Sequence, residues 1–357
     1  MKRYNPMVNV LEAARKRVSI LFDNFKNISV SVSSGKDSTV IYSLCLQEAI
    51  KRDRQIQVFF LDQEAEYENS INLIKKIMFH KNVIPQWFQV PLYLTNSTSS
   101  TDFFLYAWGP DEKWIRDKNP IAIKEIPVKY PNRFYTFFPW YESGKSDTAF
   151  IVGLRGEESM TRYRATTKNP GWNGYKWSTI TGDANKFYPI YDWTVYDVWK
   201  FIYDYNIEYN KIYDLMFIDN KSIYSKMRVS NLIHEKSYKC LVDLPRYEPE
   251  TYSKLCKRIS GISTAARYAS ERLMFNNKKL PDHYKTWKQF RDFILEQKSD
   301  KHRAIYEKRF NNQVCEEITY KAQVGQLLID DYENSKPIDT TREKKVNEIR
   351  DKWRTII

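Results

Sequence analysis

Residues 31–39 read SVSSGKDST, and their types suit the binding of an anion. Gly35 permits close backbone approach and a positive φ. The helix expected to begin near Asp37 or Ser38 would aim its first N–H groups at a ligand, and its dipole favours negative charge there. Lys36 adds a point charge, and Ser33, Ser34 and Ser38 add hydroxyls. The turn reads as a phosphate cradle or, more plainly, as a capped helix start after a strand. The G-x-x-x-x-G-K-[ST] spacing of the common ATPase and GTPase loop is absent.

Further charged residues fall where strands should end. Asp62 closes QIQVFFLD (55–62); it can contact a ribose, hold Mg²⁺ through water, or cap a helix. Arg155 and Arg162 of VGLRGEESMTRY (152–163) can grip an anion bidentately. Glu157 and Glu158 can orient those arginines or hold a metal, and a solvated charged turn is the plainer alternative. Thr194 and Asp197 have capping-box spacing, Trp193 and Trp199 read as core aromatics, and Asp192 is the member of that stretch to consider near a ligand. The four cysteines, Cys45, Cys240, Cys256 and Cys315, form no Cys-x-x-Cys pair, which argues against a zinc ribbon or an iron–sulfur cluster.

The elements that must position these residues follow from periodicity. Apolar residues spaced by three or four over 7–26 predict a helix, as do Val40, Ile41, Leu44, Cys45 and Ala49 after the turn. NISVSVS (27–33), QIQVFFLD (55–62), QWFQVPLY (86–93) and DTAFIVGL (147–154) read as strands, with helices at 67–81 and 196–206 and an irregular or hairpin segment at 171–183. Strand and helix alternation predicts an α/β fold: a doubly wound, mostly parallel five-stranded sheet with a helical C-terminal region. Residues 95–147 interrupt the rhythm as an insertion or lid. The composition changes near 205–215, giving an expected α/β domain over 1–210 and a basic helical region over 211–357. The last twenty residues read as a charged helix or a frayed tail.

The chain has 357 residues, a net charge of +13 and 15% aromatic residues. Cations and aromatic faces suit nucleic acid, or equally a basic surface around an anionic small-molecule site. No apolar run reaches about 18 residues, and the N-terminus reads as an amphipathic helix rather than a signal peptide. The expected location is the cytoplasm.

The S-S-G-K-D-S turn resembles the pyrophosphate (PP) loop of the adenine nucleotide alpha-hydrolase-like superfamily, with Ser34 where Gly is usual. Gly153, Arg155, Glu158, Ser159 and Arg162 match the Gly-x-Arg-x-x-Glu-Ser-x-x-Arg block of phosphoadenosine phosphosulfate (PAPS) reductases and sulfate adenylyltransferase small subunits. YPIYDWTVYDVWKFI (188–202) is similar to their Pro-Ile-x-x-Trp-Thr-x-x-Asp-Val-Trp block. Residues 225–262 and 281–296 resemble the C-terminal region of the immunoglobulin-binding regulator A type, found in bacteria and prophages and commonly accompanied by a ParB/sulfiredoxin-like partner.

The resemblance implies a cytoplasmic enzyme that binds ATP or PAPS, with Mg²⁺. Its nucleotide site would comprise Ser33, Ser34, Gly35, Lys36, Asp37, Ser38, Asp62, Gly153 and Glu158. Lys36, Arg155 and Arg162 would serve the chemistry, and Asp62 is the candidate metal ligand. The reductases' short Glu-Cys-Gly-x-His-type motif is missing, which favours adenylyl transfer with pyrophosphate release over sulfonucleotide reduction through Cys240. A nucleotide-sensing regulator that binds nucleic acid through the basic C-terminal region is a third expectation. Arg228, His234 and Lys236 lie close together in that region. His234 is a candidate base, with a helix-surface His as the plainer reading.

Overall fold

In the computed structural model the described residues are 8–334, apart from 100–103, 167–170, 225–226, 235–237, 269–279, 282, 312, 314–315, 329–330 and 333. The elements run α1 (Val10–Asn24), β1 (Asn27–Ser31), α2 (Lys36–Lys51), β2 (Ile56–Leu61), α3 (Glu68–Met78), β3 (Val83–Phe88), β4 (Leu92–Thr95) and β5 (Phe104–Ala107). They continue with α4 (Phe134–Glu142), β6 (Thr148–Val152), α5 (Met160–Ala165), β7 (Ser178–Thr181), β8 (Ala184–Phe187), α6 (Val195–Asp204) and α7 (Ile212–Ile218). Then follow α8 (Leu244–Tyr247), α9 (Pro249–Arg258), α10 (Ile262–Tyr268), α11 (Trp287–Glu296), α12 (Asp300–Phe310) and α13 (Glu317–Leu328).

The main sheet has the order β3-β2-β1-β6-β8-β7. Its first five strands are parallel and β7 is an antiparallel edge. Six strands therefore stand where five were expected. The sixth comes from the segment over 171–183, because Gly182 takes φ +59 and lets β7 fold back on β8 in a tight hairpin. A second departure lies at β3, which spans 83–88 rather than 86–93. Pro91 follows, and residues 92–95 pair with β5 instead, in a separate hairpin inside the insertion.

Alternation along the strands divides the core into two faces. Ile28, Val30, Ile56, Val58, Ala149, Ile151 and Phe187 pack with α1, α2, α3 and α6. Phe59, Leu61, Phe88 and Phe150 meet Phe137 and Tyr141 of α4 on the other side. From β1 the chain winds through α2 and α3 to β3. It returns across the opposite face through α4 to β6, on the other side of β1. The direction of winding reverses between β1 and β6, where the carboxyl ends of the strands leave a crevice.

Packing carries the first compact unit, Met1–Ala269, past the composition change at 205–215. Ile212, Tyr213, Leu232, Leu241, Leu244 and Leu255 share the core of Phe59 and Phe150, so these helices complete the α/β layer. The second unit, Ser270–Ile357, has its own small core of Ile294, Leu295, Tyr306, Phe310, Val324 and Leu327. The expected C-terminal tail lies outside the described residues. Among the described residues no helix is long and apolar enough to cross a membrane.

Candidate functional site

The turn after β1 sits at the reversal point. Val32 still donates to the Phe59 carbonyl (2.9 Å), which holds the strand exit on the sheet. The positive φ expected of Gly35 belongs instead to Ser34, at φ +57, whereas Gly35 has φ −70. Ser34 is buried, and its hydroxyl lies 3.3 Å from Asn210 Nδ2, which also donates to Ser70 Oγ (2.9 Å). Helix α2 begins at Lys36, one residue earlier than expected at the least, with Gly35 as its N-cap. Ser38 Oγ donates to the Gly35 carbonyl (2.9 Å) and accepts from the Ser33 amide (3.1 Å), so this hydroxyl shapes the loop. The Lys36 amide donates to Tyr213 Oη (3.1 Å).

The second wall comes from the end of β6. A Cβ on Gly153 would stand 2.7 Å from the Asp37 carbonyl oxygen and 2.9 Å from the Ser38 nitrogen. Only glycine lets the backbone come this close to the first turn of α2. Arg155 is almost fully buried. Its Nε donates to Asp37 Oδ1 (2.5 Å) and its Nη1 to Glu157 Oε2 (2.8 Å), while Glu158 lies 3.9 Å from Nη2. Its guanidinium is thus committed to carboxylates and ties the two walls together, where a free anion clamp was expected. Arg162 pairs with Glu158 and keeps 45% of its side chain exposed, so it can still meet a ligand. Glu157 also accepts from the Val195 amide (2.9 Å).

Lys36 Nζ pairs with Asp37 Oδ2 (3.1 Å). Burial lowers the Lys36 pKa; Asp37 opposes this, and the charges of Arg155 and Arg228 add to the lowering. Burial likewise lowers Arg162. A buried cation whose charge is held against desolvation gains most from an incoming anion.

Asp62 is wholly buried and occupied on both oxygens. Oδ1 accepts from the Glu64 amide (2.9 Å) and Arg116 Nη2 (2.5 Å). Oδ2 accepts from Trp87 Nε1 (3.1 Å) and Gln89 Nε2 (2.9 Å). Four donors leave it unsuited to the metal role expected of it, and the described residues contain no cluster of three metal-ligating side chains. Asp62 instead anchors the insertion through Arg116. Two neighbouring acids extend this arrangement. Glu64 accepts from Arg258 Nε (2.9 Å) and the Trp108 amide (3.0 Å). Burial first, and the Asp62 charge second, push the Glu66 carboxyl up to about 8.

The remaining candidates are engaged with partners outside the loop. Asp192 pairs with Arg17 of α1 (2.7 Å), and Thr194 with Asp197 forms the capping box that its spacing predicts. Burial raises the Cys240 thiol, which disfavours the thiolate a nucleophile needs. His234 Nε2 lies 3.1 Å from Tyr135 Oη of α4. Lys236 and Cys315 lie outside the described residues. Tyr213, Asn210 and Arg116 were not singled out by sequence reasoning. Their roles depend on contacts across more than 50 residues, which no local pattern carries, whereas the alternating acids of DQEAE (62–66) were a visible signal.

This loop and its wall coincide with the similarity found to known proteins. Residues 27–219 match the phosphoadenosine phosphosulfate reductase domain, and residues 222–349 match a domain of unknown function, DUF3440. The chain belongs to the phosphoadenosine phosphosulfate reductase domain family. Among relatives, it is 27% identical to the uncharacterized protein YbdN of Escherichia coli over 82% of this chain and 76% of that one. It is 30% identical to the adenosine 5′-phosphosulfate reductase of Allochromatium vinosum, over 57% of this chain and 69% of the reductase. Among solved structures, the PAPS reductase of Candida auris in complex with phosphate aligns at 11% identity and a TM-score of 0.31, over 57% of this chain and 84% of that one.

Proposed function

We propose that the protein binds an adenine nucleotide in the crevice between β1 and β6 and cleaves ATP between its α and β phosphates, transferring the adenylyl group to an acceptor. The observation that carries this reading is the contact of Gly153 with the first turn of α2. It sets a loop of helix-start amides and Lys36 against the Glu158–Arg162 pair at the reversal point of the sheet. In this reading Ser33 to Ser38 cradle the leaving pyrophosphate, and Lys36 and Arg162 stabilise the charge that develops on it. Arg155 holds Asp37, and so the loop, in place. The acceptor's oxygen forms a bond to the α-phosphorus as the bridging P–O bond breaks, and the electron pair leaves on pyrophosphate. Asp62 does not fit a metal ligand, so no step is assigned to Mg²⁺.

Sulfonucleotide reduction through Cys240 has less support, because burial raises that thiol. A ParB/sulfiredoxin-like protein or a nucleic acid, met by the basic C-terminal region, belongs to this proposal as a source of the acceptor. Incubation with α-labelled ATP, and separately with PAPS, tests it. Labelled AMP or an adenylated acceptor with unlabelled pyrophosphate is the expected product. Labelled ADP would overturn the cleavage position, and thiol-dependent sulfite release from PAPS would restore the reductase reading.

A further inference from the structure

Tyr213 of α7 meets the phosphate loop at three points. Its hydroxyl accepts the Lys36 amide (3.1 Å), the first N–H of α2. A Cβ on Gly35 would stand 3.8 Å from the same oxygen, 3.4 Å from Ser33 Oγ and 3.8 Å from Ser38 Oγ, so three hydroxyls converge on the middle of the loop. Lys36 Nζ lies 5.9 Å from the centre of the Tyr213 ring, within reach of the attraction between an ammonium and an aromatic face. Tyr213 thus touches Lys36 at its backbone and at its charge. The ring is fixed in turn. It is 2% exposed, and Trp199 of α6 packs edge-on against it, with centroids 5.3 Å apart and planes at 84°.

The three hydroxyls are not equivalent. Ser38 Oγ gives its proton to the Gly35 carbonyl (2.9 Å), and Ser33 Oγ has Ser38 Oγ beside it at 3.3 Å. The Tyr213 oxygen is an acceptor for the Lys36 amide, and among the described residues its proton meets no acceptor. A buried hydroxyl proton is rarely left so, because nothing then offsets its desolvation. An oxyanion in the loop would supply the acceptor. By donating to the hydroxyl oxygen, the amide makes the hydroxyl proton the stronger donor, so the first N–H of the helix acts on the anion through Tyr213. We propose that Tyr213 is a nucleotide-binding residue: its hydroxyl, held by the Lys36 amide, donates its proton to an oxygen of the terminal phosphates lying in the loop. The inference rests on the nucleotide reading above and deepens it. It adds a neutral donor to a cradle whose cations Lys36, Arg155 and Arg162 are each paired with a carboxylate.

Calorimetric titration of the full-length protein with ATP, inorganic pyrophosphate and AMP tests the assignment, together with the melting temperature without ligand. Tyr213→Phe keeps the ring against Trp199 and removes only the hydroxyl. It should weaken ATP and pyrophosphate by roughly tenfold, the usual worth of one hydrogen bond to a charged group. AMP lacks the terminal phosphates and should change by no more than about twofold. Tyr213→fluorotyrosine, with the fluorine beside the hydroxyl, makes that group a better donor and a poorer acceptor. It should bind pyrophosphate at least as tightly as wild type, whereas a hydroxyl that served only to hold the Lys36 amide would give weaker binding. If Tyr213→Phe melts far below wild type, the fluorotyrosine variant decides alone, and its weaker binding overturns the assignment. Unchanged or tighter pyrophosphate binding by Tyr213→Phe, or equal losses for AMP and ATP, also overturns it while leaving the nucleotide reading intact. A wild-type protein that binds none of the three overturns both.

Discussion

Ser34 occupies the left-handed region that favours glycine, at a cost of about 1 kcal/mol, and the loop retains it through burial and the contact with Asn210. The requirement for glycine has moved to the other wall. Gly153→Ala places a methyl against the backbone of Asp37 and Ser38, which cannot yield as a flexible side chain would. We expect it to lower unfolding free energy by about 2 kcal/mol and to abolish measurable nucleotide binding. Unaltered ATP affinity in a titration of that variant would show that the contact does not shape the site. Glu66 gives a pH-dependent counterpart. Its carboxyl is raised to about 8 in the folded chain, chiefly by burial, while in the unfolded chain it titrates near its ordinary value of about 4.3. Between those pH values the folded state holds a proton that the unfolded state has lost, so this group's contribution to stability falls as pH rises from about 4.3 to 8. Glu66→Gln should therefore raise the melting temperature relative to wild type near pH 8 and lose that advantage near pH 4. A gain independent of pH would contradict the assignment. The sequence displayed the residues of the loop and the arginine block but not their division of labour. Arg155 and Arg162 are alike in type and seven residues apart, and only the fold makes one a buried tie and the other a half-exposed cation.

Elements were legible where periodicity is local. The β1–α2–β2–α3 succession could be read directly because one buried face repeats every two or every three to four residues. The shift of β3 could not, since it is decided by pairing with β2 across a helix; the β7–β8 and β4–β5 hairpins pair locally, but strands of four residues are too short to display a period. The insertion shows how distant partners are held. Arg258 at the end of α9 donates to Glu64 (2.9 Å), Glu112 (2.6 Å) and the Tyr106 carbonyl (3.0 Å). One side chain thus fastens a helix and β5 to the exit of β2. Arg258→Ala leaves Glu64 buried with one partner fewer, and should cost about 3 kcal/mol in denaturant unfolding. Adding Glu64→Gln should recover part of that loss, because the uncompensated charge is then gone. A double variant as unstable as the sum of the two single ones would mean that the pair is not coupled.

At the scale of the whole chain, charge and composition suggested a boundary near 205–215, whereas packing places it at 269/270. The discrepancy has a physical source. Helices α7 to α10 carry many polar residues, yet their apolar faces complete the core over Phe59 and Phe150, and average composition does not reveal which face is covered. The loop, the Gly153 contact, the arginine pairs and Tyr213 all fall within the first unit. A fragment ending at Ala269 should accordingly unfold in a single cooperative transition and bind ATP with the affinity of the full chain, within about twofold. The second unit has a core of only six buried apolar residues among those described, too small to contribute much stability on its own. If the second unit brings an acceptor to the first, the fragment should keep nucleotide binding but lose adenylyl transfer to a macromolecular acceptor. Parallel titration and labelled-ATP assays on the fragment and the full chain separate the two roles. Loss of ATP binding in the fragment would show that residues beyond 269 belong to the nucleotide site itself.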